Sequence, residues 1–174
     1  MSAHTTSPLF LFLTGAGVCL ALGALANALH MPMIFPSLGA STFILFYAPM
    51  MPTAAPRSAV LGHLIALVCG YASLALFGLL GVPLVASSNL ELARILAVGL
   101  ALGLTCAIKG ALGVVHPPAG ATTMIVTLGL LPHLWQLPMA MTSVILLVAG
   151  AYAVHRARGL PYPLWAPRKA VAMP

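Results

Sequence analysis

Residues His116–Thr123 read HPPAGATT, and this stretch decides how the remainder of the chain is interpreted. It lies between two strongly apolar segments, Leu92–Gly113 and Pro138–His155. Proline breaks the interior of a helix but fits its first turn, where the N–H group that proline lacks would have no partner. The stretch therefore predicts a short helix that is reached through an extended segment.

The composition of the chain places it in a membrane. Of its 174 residues, 61% are hydrophobic and 5% are charged, whereas a soluble domain carries about 25% charged residues. A helix of about 20 residues crosses the hydrocarbon core of a bilayer. We therefore predict an all-α integral membrane protein with four long transmembrane helices and two half-length helices. The long segments are Leu9–Leu29, Ala59–Leu80, Leu92–Gly113 and Pro138–His155, and the short ones are Gly39–Met50 and Ala119–Leu131.

The two short segments begin with the same pattern. Pro36–Thr42 reads PSLGAST and Pro117–Thr123 reads PPAGATT, so the pattern P-x-x-G-A-[S/T]-T recurs after 81 residues. The same shift also matches the order of long, short and long segments in the two halves of the chain. Because an internal repeat changes the whole fold assignment, we predict two long–short–long repeats, about 9–80 and 90–156, in a single membrane domain of residues 1–158.

Positive charges predict the orientation of the chain, because cytoplasmic loops are enriched in Lys and Arg. If all six segments contribute to crossings, Arg57 and Lys109 lie on the same side as the C-terminus, and Arg94, with Glu91 on the same helix face, lies opposite. If the short segments loop back, Arg57 and Lys109 lie opposite the C-terminus instead. The first arrangement inverts one repeat relative to the other, as in many transporters. The C-terminal region, with the basic tail of residues 159–174, is predicted to be cytoplasmic through Arg156, Arg158, Arg168 and Lys169, in a bacterial inner membrane.

The inverted arrangement predicts an anion site. The two short helices then begin near the middle of the membrane with their N-termini facing each other. A helix start carries unpaired N–H groups and a partial positive charge, and two such starts aimed at one point would bind an anion. Glycine permits close approach and hydroxyl groups donate hydrogen bonds. The candidate residues are Gly39, Ala40, Ser41 and Thr42 in the first repeat and Pro117, Pro118, Gly120, Ala121, Thr122 and Thr123 in the second.

Three further polar residues are candidates for the same site, each with an alternative role. Lys109 adds positive charge within a membrane segment, or it extends to the interface as a topology charge. His116 donates to an anion and titrates near pH 6.5, or it pairs with the broken backbone. Asn27 lies near the corresponding place in the first repeat, or it bonds a neighbouring helix. For His63 a hydrogen bond between helices is the favoured interpretation.

Other functional classes find less support in the sequence. There is no carboxylate pair and no Ser-His-Asp set, so we do not predict an enzyme. Nine Met and three Cys raise the alternative of a transporter for a soft metal cation, but they show no recurring ligand spacing, and we predict no metal site and no cofactor. Basic residues are few, so nucleic acid is not an expected partner. The expected partners are the lipid bilayer and a small inorganic anion. Six helical segments in one short chain enclose little volume, which is compatible with a homo-oligomer. A membrane scaffold without transport is another alternative.

These stretches resemble the HPP family of integral membrane proteins, which is called after the His-Pro-Pro triplet. HPPAGATT carries the triplet, Pro36–Ser41 looks like a Gly-Ala-Ser element of the family, and Leu45–His63 is similar to its Pro-Arg and Gly-His region. The resemblance covers roughly residues 10–155. It departs at PMMPTAAP, where the family more often has Ser-Pro and Gln-Pro-Arg, and at the single glycine before His63.

The resemblance implies a small helical membrane protein, usually described with four spans. Members of the family have been associated with nitrite transport in plastids and cyanobacteria. Together with the anion site predicted from the residues, this gives the leading hypothesis of a channel or uniporter for a small monovalent anion such as nitrite.

Overall fold

The computed structural model describes residues 7–84 and 91–166. These residues form six α-helices and one turn of 3₁₀ helix at Pro52–Ala54, and they contain no strand. The prediction of an all-α membrane protein with four long and two short helices is confirmed. The helices are α1 (Pro8–Leu29), α2 (Pro36–Tyr47), α3 (Pro56–Leu76), α4 (Leu92–Ala111), α5 (Pro118–Thr127) and α6 (Gln136–Ala157).

The lengths of the helices separate the spanning helices from the short ones. The four long helices have 20 to 22 residues each and are apolar enough to cross a membrane. The helices α2 and α5 have 12 and 10 residues, so they are about 18 and 15 Å long. Each of α1, α2, α3 and α5 has a proline in its first turn, where proline does not interrupt the hydrogen-bond pattern.

The helix bounds follow the predicted repeat. Shifting α2 by 81 residues gives 117–128, within one residue of the bounds of α5 at each end. The same shift carries α3 onto 137–157, which begins one residue after α6 begins. It carries α1 onto 89–110, within three residues of the bounds of α4. The long–short–long order thus occurs twice in the structure.

The short helices run in opposite directions beside each other. Ser37 near the start of α2 bonds to Thr122 in the middle of α5, whereas Ser41, one turn later in α2, bonds to His116 before the start of α5. Moving forward along α2 therefore means moving backward along α5, as two inverted repeats require. Their first turns overlap side by side, whereas the sequence predicted that the two N-termini would face each other end to end.

One end of the helix bundle collects most of the positive charge, and we call it the basic end. The backbone N–H group of Arg57 donates to the carbonyl of Trp165, eight residues after the end of α6, and its Nη2 donates to the carbonyl of Leu112 at 3.1 Å. Arg158 lies 3.8 Å above the ring of Phe10 at the start of α1. The starts of α1 and α3 therefore share an end with the ends of α4 and α6. This sharing of one end is expected if the short segments contribute to crossings. Arg168 and Lys169, which were also predicted to lie on this side, are outside the described residues.

Arg94 lies near the start of α4, at the end of the bundle opposite the basic end, as in the arrangement in which all six segments contribute to crossings. Its side chain is only 5% exposed, and it donates to the carbonyls of Thr127 at 3.0 Å and Val82 at 3.1 Å. A cation is favourable at a helix C-terminus, where carbonyl groups lack partners. Arg94 therefore caps the end of α5 and ties α4 to it.

The helix α3 forms the centre of the bundle and packs closely on α5. A Cβ atom added at Gly62 would lie 3.0 Å from Cβ of His116, and one added at Gly70 would lie 2.9 Å from Cβ of Val126. Ala66, which lies between these glycines, is fully buried. Small residues at every fourth position let two helices approach closely in a membrane. This close packing brings His63 to the short helices.

Candidate functional site

Five polar side chains meet where the two short helices cross, and we call them the polar cluster. They come from α2, α3, α5 and the segment before α5, and none of them is more than 1% exposed. The hydrocarbon core offers no water, so polar groups at this depth need partners within the protein. The members of the polar cluster are Ser37, Ser41, His63, His116 and Thr122.

The polar cluster forms one continuous line of hydrogen bonds. Oγ of Ser37 lies 2.6 Å from Oγ1 of Thr122, and that Oγ1 lies 2.7 Å from Nδ1 of His63. Nε2 of His63 lies 2.9 Å from Oγ of Ser41. The same Oγ lies 3.0 Å from Nε2 of His116. Every member of the polar cluster is therefore hydrogen-bonded to at least one other member.

The end of this line fixes the direction of its hydrogen bonds. Nδ1 of His116 lies 2.8 Å from the carbonyl oxygen of Thr53. A carbonyl only accepts, so Nδ1 donates, and in the neutral imidazole Nε2 then accepts. With this tautomer, Ser41 accepts from Nε2–H of His63, and its own hydroxyl proton is shared between Nε2 of His116 and the carbonyl oxygen of Ser37, each 3.0 Å away. By the same reasoning, Thr122 donates to Nδ1 of His63 and accepts from the hydroxyl group of Ser37.

The internal repeat builds the centre of the polar cluster. Ser41 and Thr122 occupy the same position of the repeated pattern, 81 residues apart. Their hydroxyl groups hold the two nitrogens of the same imidazole, that of His63. The inverted repeats thus present equivalent side chains from opposite sides to one residue of α3.

Lys109 lies beside the polar cluster and bonds to the broken backbone. Its Nζ donates to the carbonyl oxygen of His116 at 2.6 Å, and its charge acts on the imidazoles of both His63 and His116. The carbonyl of His116 lies where the prolines interrupt regular backbone pairing. Lys109 therefore stabilises the break between α4 and α5 and raises the electrostatic potential of the polar cluster.

The backbone at the start of α5 differs from the predicted cradle of free N–H groups. Pro117 and Pro118 have no N–H group. The N–H of Ala119 bonds to the carbonyl of His116 at 3.2 Å, and that of Gly120 bonds to the carbonyl of Pro117 at 3.0 Å. The tight first turn thus uses the donors that an anion would need. The donors of the polar cluster are side chains.

The remaining predicted residues lie around the polar cluster rather than in it. Thr123 bonds to Thr105 of α4 at 2.9 Å, and Thr42 donates to the carbonyl of Leu38 in its own helix. A Cβ atom on Gly120 would contact Leu102 at 3.8 Å. The exposed ones are Gly39, Ala40 and Ala121 on the short helices and Asn27 near the end of α1.

Two members of the polar cluster were not among the predicted site residues. Ser37 was missed because its counterpart in the second repeat is Pro118, so the shared pattern records only a variable position. His63 was interpreted as a hydrogen bond between helices, which describes its bonds but not its central place. Its position in the Gly62-His63 pair of the family resemblance was the one signal that singled it out.

An apolar groove lies between α1 and α2. It has a volume of ≈ 350 Å³. Pro36, which precedes Ser37, lines it together with Gly39 and Thr42. The groove therefore reaches α2 beside the polar cluster. Among the described residues, no group of three or more His, Cys, Asp or Glu is arranged to hold a metal ion.

Comparison with known proteins agrees with the motif and the fold. The family described as "HPP, transmembrane region" matches residues 1–163. A transmembrane protein of Dictyostelium discoideum is 30% identical over 143 residues, which are 78% of this chain and 46% of that protein. A second one is 31% identical over 136 residues, which are 74% of this chain and 40% of that protein. The chain thus spans less than half the length of these relatives, and no solved structure matches it.

The family match covers both repeats and the whole polar cluster. It includes the triplet His116-Pro117-Pro118, which begins the second short helix and supplies one of the two clustered imidazoles. The chain belongs to the HPP family of transmembrane proteins.

Proposed function

We propose that this protein is a channel or uniporter for a small monovalent anion such as nitrite, and that the anion passes through the polar cluster. The proposal rests on one observation. The polar cluster combines buried hydroxyl and imidazole donors with the ammonium of Lys109. Glu91, the one acidic residue of the chain, lies before the first turn of α4, the end opposite Lys109. A site of donors and positive charge favours an anion over a cation.

Binding would exchange internal hydrogen bonds for bonds to the anion. The hydroxyl groups of Ser37, Ser41 and Thr122 now donate within the polar cluster, at distances of 2.6 to 3.0 Å. A small planar anion with several acceptor oxygens can take these donors in place of the imidazoles and hydroxyls that hold them now. The described arrangement is thus the closed form, and α2 has to move relative to α5 for an anion to enter.

The charge at the basic end supports the same function. Lys109 and Arg57 both bond to carbonyls near the break before α5, so they flank the approach to the polar cluster from this end. Positive charge around a cleft raises the local concentration of anions. The bias of positive charge places the basic end, with the C-terminus, on the cytoplasmic side of a bacterial inner membrane in this proposal.

Flux measurements on purified protein in liposomes test the proposal. We expect selective uptake of nitrite among nitrite, nitrate, formate and chloride, with potassium as the cation that is excluded. Lys109→Met should reduce anion flux about tenfold, because it removes a charge-assisted interaction worth about 1.5 kcal/mol next to the site. Arg156→Met is the matched control, since it removes the same charge at an exposed position of the same end.

The control should retain the flux of the wild type. Equal flux of Lys109→Met and Arg156→Met would show that the charge beside the polar cluster does not act on the transported ion. Absence of flux for every anion, in protein that is correctly inserted, would favour a membrane scaffold.

A further inference from the structure

We propose that each anion crosses together with one proton, and that His63 and His116 hold this proton and exchange it through Ser41. The inference rests on the proposed anion transport: it keeps the anion and its path through the polar cluster, and it replaces the channel or uniport mechanism with an electroneutral symport that is driven by a pH gradient. It would not respond to the membrane potential as a uniport does.

Ser41 lies between the two imidazoles in a geometry suited to proton exchange. Its Oγ lies 2.9 Å from Nε2 of His63 and 3.0 Å from Nε2 of His116. The two ring centroids are 5.1 Å apart. The hydroxyl group of Ser41 therefore lies within hydrogen-bond distance of Nε2 in each of the two rings. No other group has to move for a proton to pass from one ring to the other.

The transfer step balances without any change of oxidation state. A proton that binds Nδ1 of His63 gives this ring two N–H groups. The ring then passes its Nε2 proton to Oγ of Ser41, while Ser41 passes its own hydroxyl proton to Nε2 of His116. One O–H bond breaks and another forms on Ser41. His63 is left neutral with its proton on Nδ1, and His116 carries the positive charge.

Both neighbours of the pair can adjust to the extra proton. When Nδ1 of His63 carries a hydrogen, Thr122 becomes the acceptor of that bond and turns its own hydroxyl toward Ser37, 2.6 Å away. Two hydroxyl groups support a hydrogen bond in either direction. The carbonyl of Ser37, 3.0 Å from Oγ of Ser41, is a second acceptor for the hydroxyl of Ser41 when His116 is protonated.

Charge pairing explains why the proton should accompany the anion. A buried charge is strongly unfavourable unless an opposite charge compensates it. With both imidazoles neutral, the side chains of the polar cluster carry no net charge. The ammonium of Lys109 already bonds to the carbonyl of His116 at the edge of the polar cluster. A proton on the imidazole pair places the compensating charge where the hydroxyl donors converge.

The ends of the hydrogen-bonded line give the proton a path. At one end, Nδ1 of His116 donates to the carbonyl of Thr53, a half-buried residue between α2 and α3 at the basic end. At the other end, Ser37 follows Pro36, which lines the groove between α1 and α2. Ser37 itself is buried and does not line the groove, so a proton passes between the groove and the line only when α2 moves, as proposed for entry of the anion.

Few other charged groups face the imidazole pair within the described part of the chain. Lys109 faces it from α4, and α2, α5 and the 3₁₀ turn present hydroxyl and carbonyl groups to it. The nearest histidine of α6, His155, bonds to the carbonyl of Leu45 instead and packs between Phe46 and Tyr162. A pH response of transport is therefore assigned to His63 and His116 with Lys109 as their charged neighbour.

The wild-type protein alone can decide between symport and uniport. Proteoliposomes contain a fluorescent pH indicator, and equal potassium with valinomycin holds the membrane potential at zero. An inward pH gradient should then drive nitrite uptake against its concentration gradient, and the lumen should acidify by one proton for each nitrite, beyond the acidification that occurs without protein. A potassium diffusion potential without a pH gradient should drive no net uptake. Vesicles without protein give the background leak.

The outcomes separate the two proposals. Uptake that follows the membrane potential and leaves the luminal pH unchanged would overturn the symport and leave anion transport standing. No protein-dependent uptake of nitrate, nitrite, formate or chloride would overturn the anion function and the symport with it.

Variants then locate the proton exchange. Ser41→Ala should lower pH-driven uptake about 100-fold, which is at the low end of the range for losing a positioned proton-transfer group. Ser73→Ala is the matched control, because Ser73 is equally buried at 1% exposed and its Oγ has no hydrogen-bond partner. His155→Gln is a second control, since it changes a fully buried histidine outside the polar cluster.

Both controls should keep the pH-driven uptake. Equal uptake by Ser41→Ala and Ser73→Ala would contradict the exchange through Ser41.

Discussion

The first helices of the two repeats occupy equivalent places but are held very differently. Three polar side chains of α4 bond to the backbone or side chains around α5: Arg94 to the carbonyl of Thr127, Thr105 to Thr123, and Lys109 to the carbonyl of His116. In the equivalent helix α1, Thr14 donates to carbonyls of its own helix, and Leu22 is the one buried residue.

Grooves accompany the loose attachment of α1. One of ≈ 350 Å³ separates it from α2, and another of ≈ 580 Å³ lies between it and α6. The firmest described contacts of α1 are at its start, where Phe10 packs on Phe46 and under Arg158. The same order of helices thus produces a firmly attached first helix in the second repeat, α4, and a loosely attached one in the first repeat, α1. We therefore expect an anion to reach the polar cluster from the α1 side.

The largest difference in stability between equivalent positions of α4 and α1 is expected at Arg94. Arg94→Ala leaves the carbonyls of Thr127 and Val82 without their charged donor, which should lower the free energy of unfolding by about 3 kcal/mol. The position that matches Arg94 in the first repeat is Leu13, which is 58% exposed. Leu13→Ala should change stability by less than about 0.5 kcal/mol. Unfolding in mixed micelles with increasing dodecyl sulfate measures both variants.

Similar losses for Arg94→Ala and Leu13→Ala would remove the distinction between α4 and α1. A large loss for Leu13→Ala alone would reverse it.

A smaller change in stability is expected from adding one methyl group at a tightly packed glycine of α3 and at a loosely packed glycine of α1. A Cβ atom at Gly70 would lie 2.9 Å from Val126, so Gly70→Ala should destabilise the protein by about 1–3 kcal/mol through overpacking. Gly15 of α1 has no neighbouring atom within 4 Å of such a Cβ. Gly15→Ala should be neutral or stabilising by up to about 1 kcal/mol, because alanine favours a helix. Thermal unfolding in detergent compares them, and destabilisation by Gly15→Ala would show that α1 is tightly packed.

Much of the fold was predictable because proline and hydrophobicity act locally. Pro36 and Pro118 begin the short helices, as the sequence indicated, and the length of each apolar segment separated spanning from half-length helices. The recurrence of the pattern after 81 residues predicted the repeat, and the distribution of positive charge predicted that the two repeats are inverted, as the bonds from α2 to α5 and to His116 then showed.

The site was predictable only in part because a helix turns its successive residues to different sides. With 3.6 residues per turn, the consecutive residues Gly39, Ala40 and Ser41 cannot all face one point. Ser41 faces the polar cluster together with Ser37, one turn earlier, and the glycine and alanine are exposed. The place of His63 depends on how α3 packs between the short helices, and that packing is a tertiary contact that no local pattern encodes.

Passage of the anion through the polar cluster is the central claim of the proposed function. The most direct test is anion flux through Thr122→Val, which removes the hydroxyl group between Ser37 and His63 and keeps the shape of the side chain. Thr142→Val on α6 is the matched control, because the hydroxyl of Thr142 is exposed and bonds within its own helix. We expect Thr122→Val to lower the nitrite flux about 10- to 100-fold, as for the loss of a bond to a charged group, and Thr142→Val to keep the flux of the wild type. Equal flux through both variants would contradict the account.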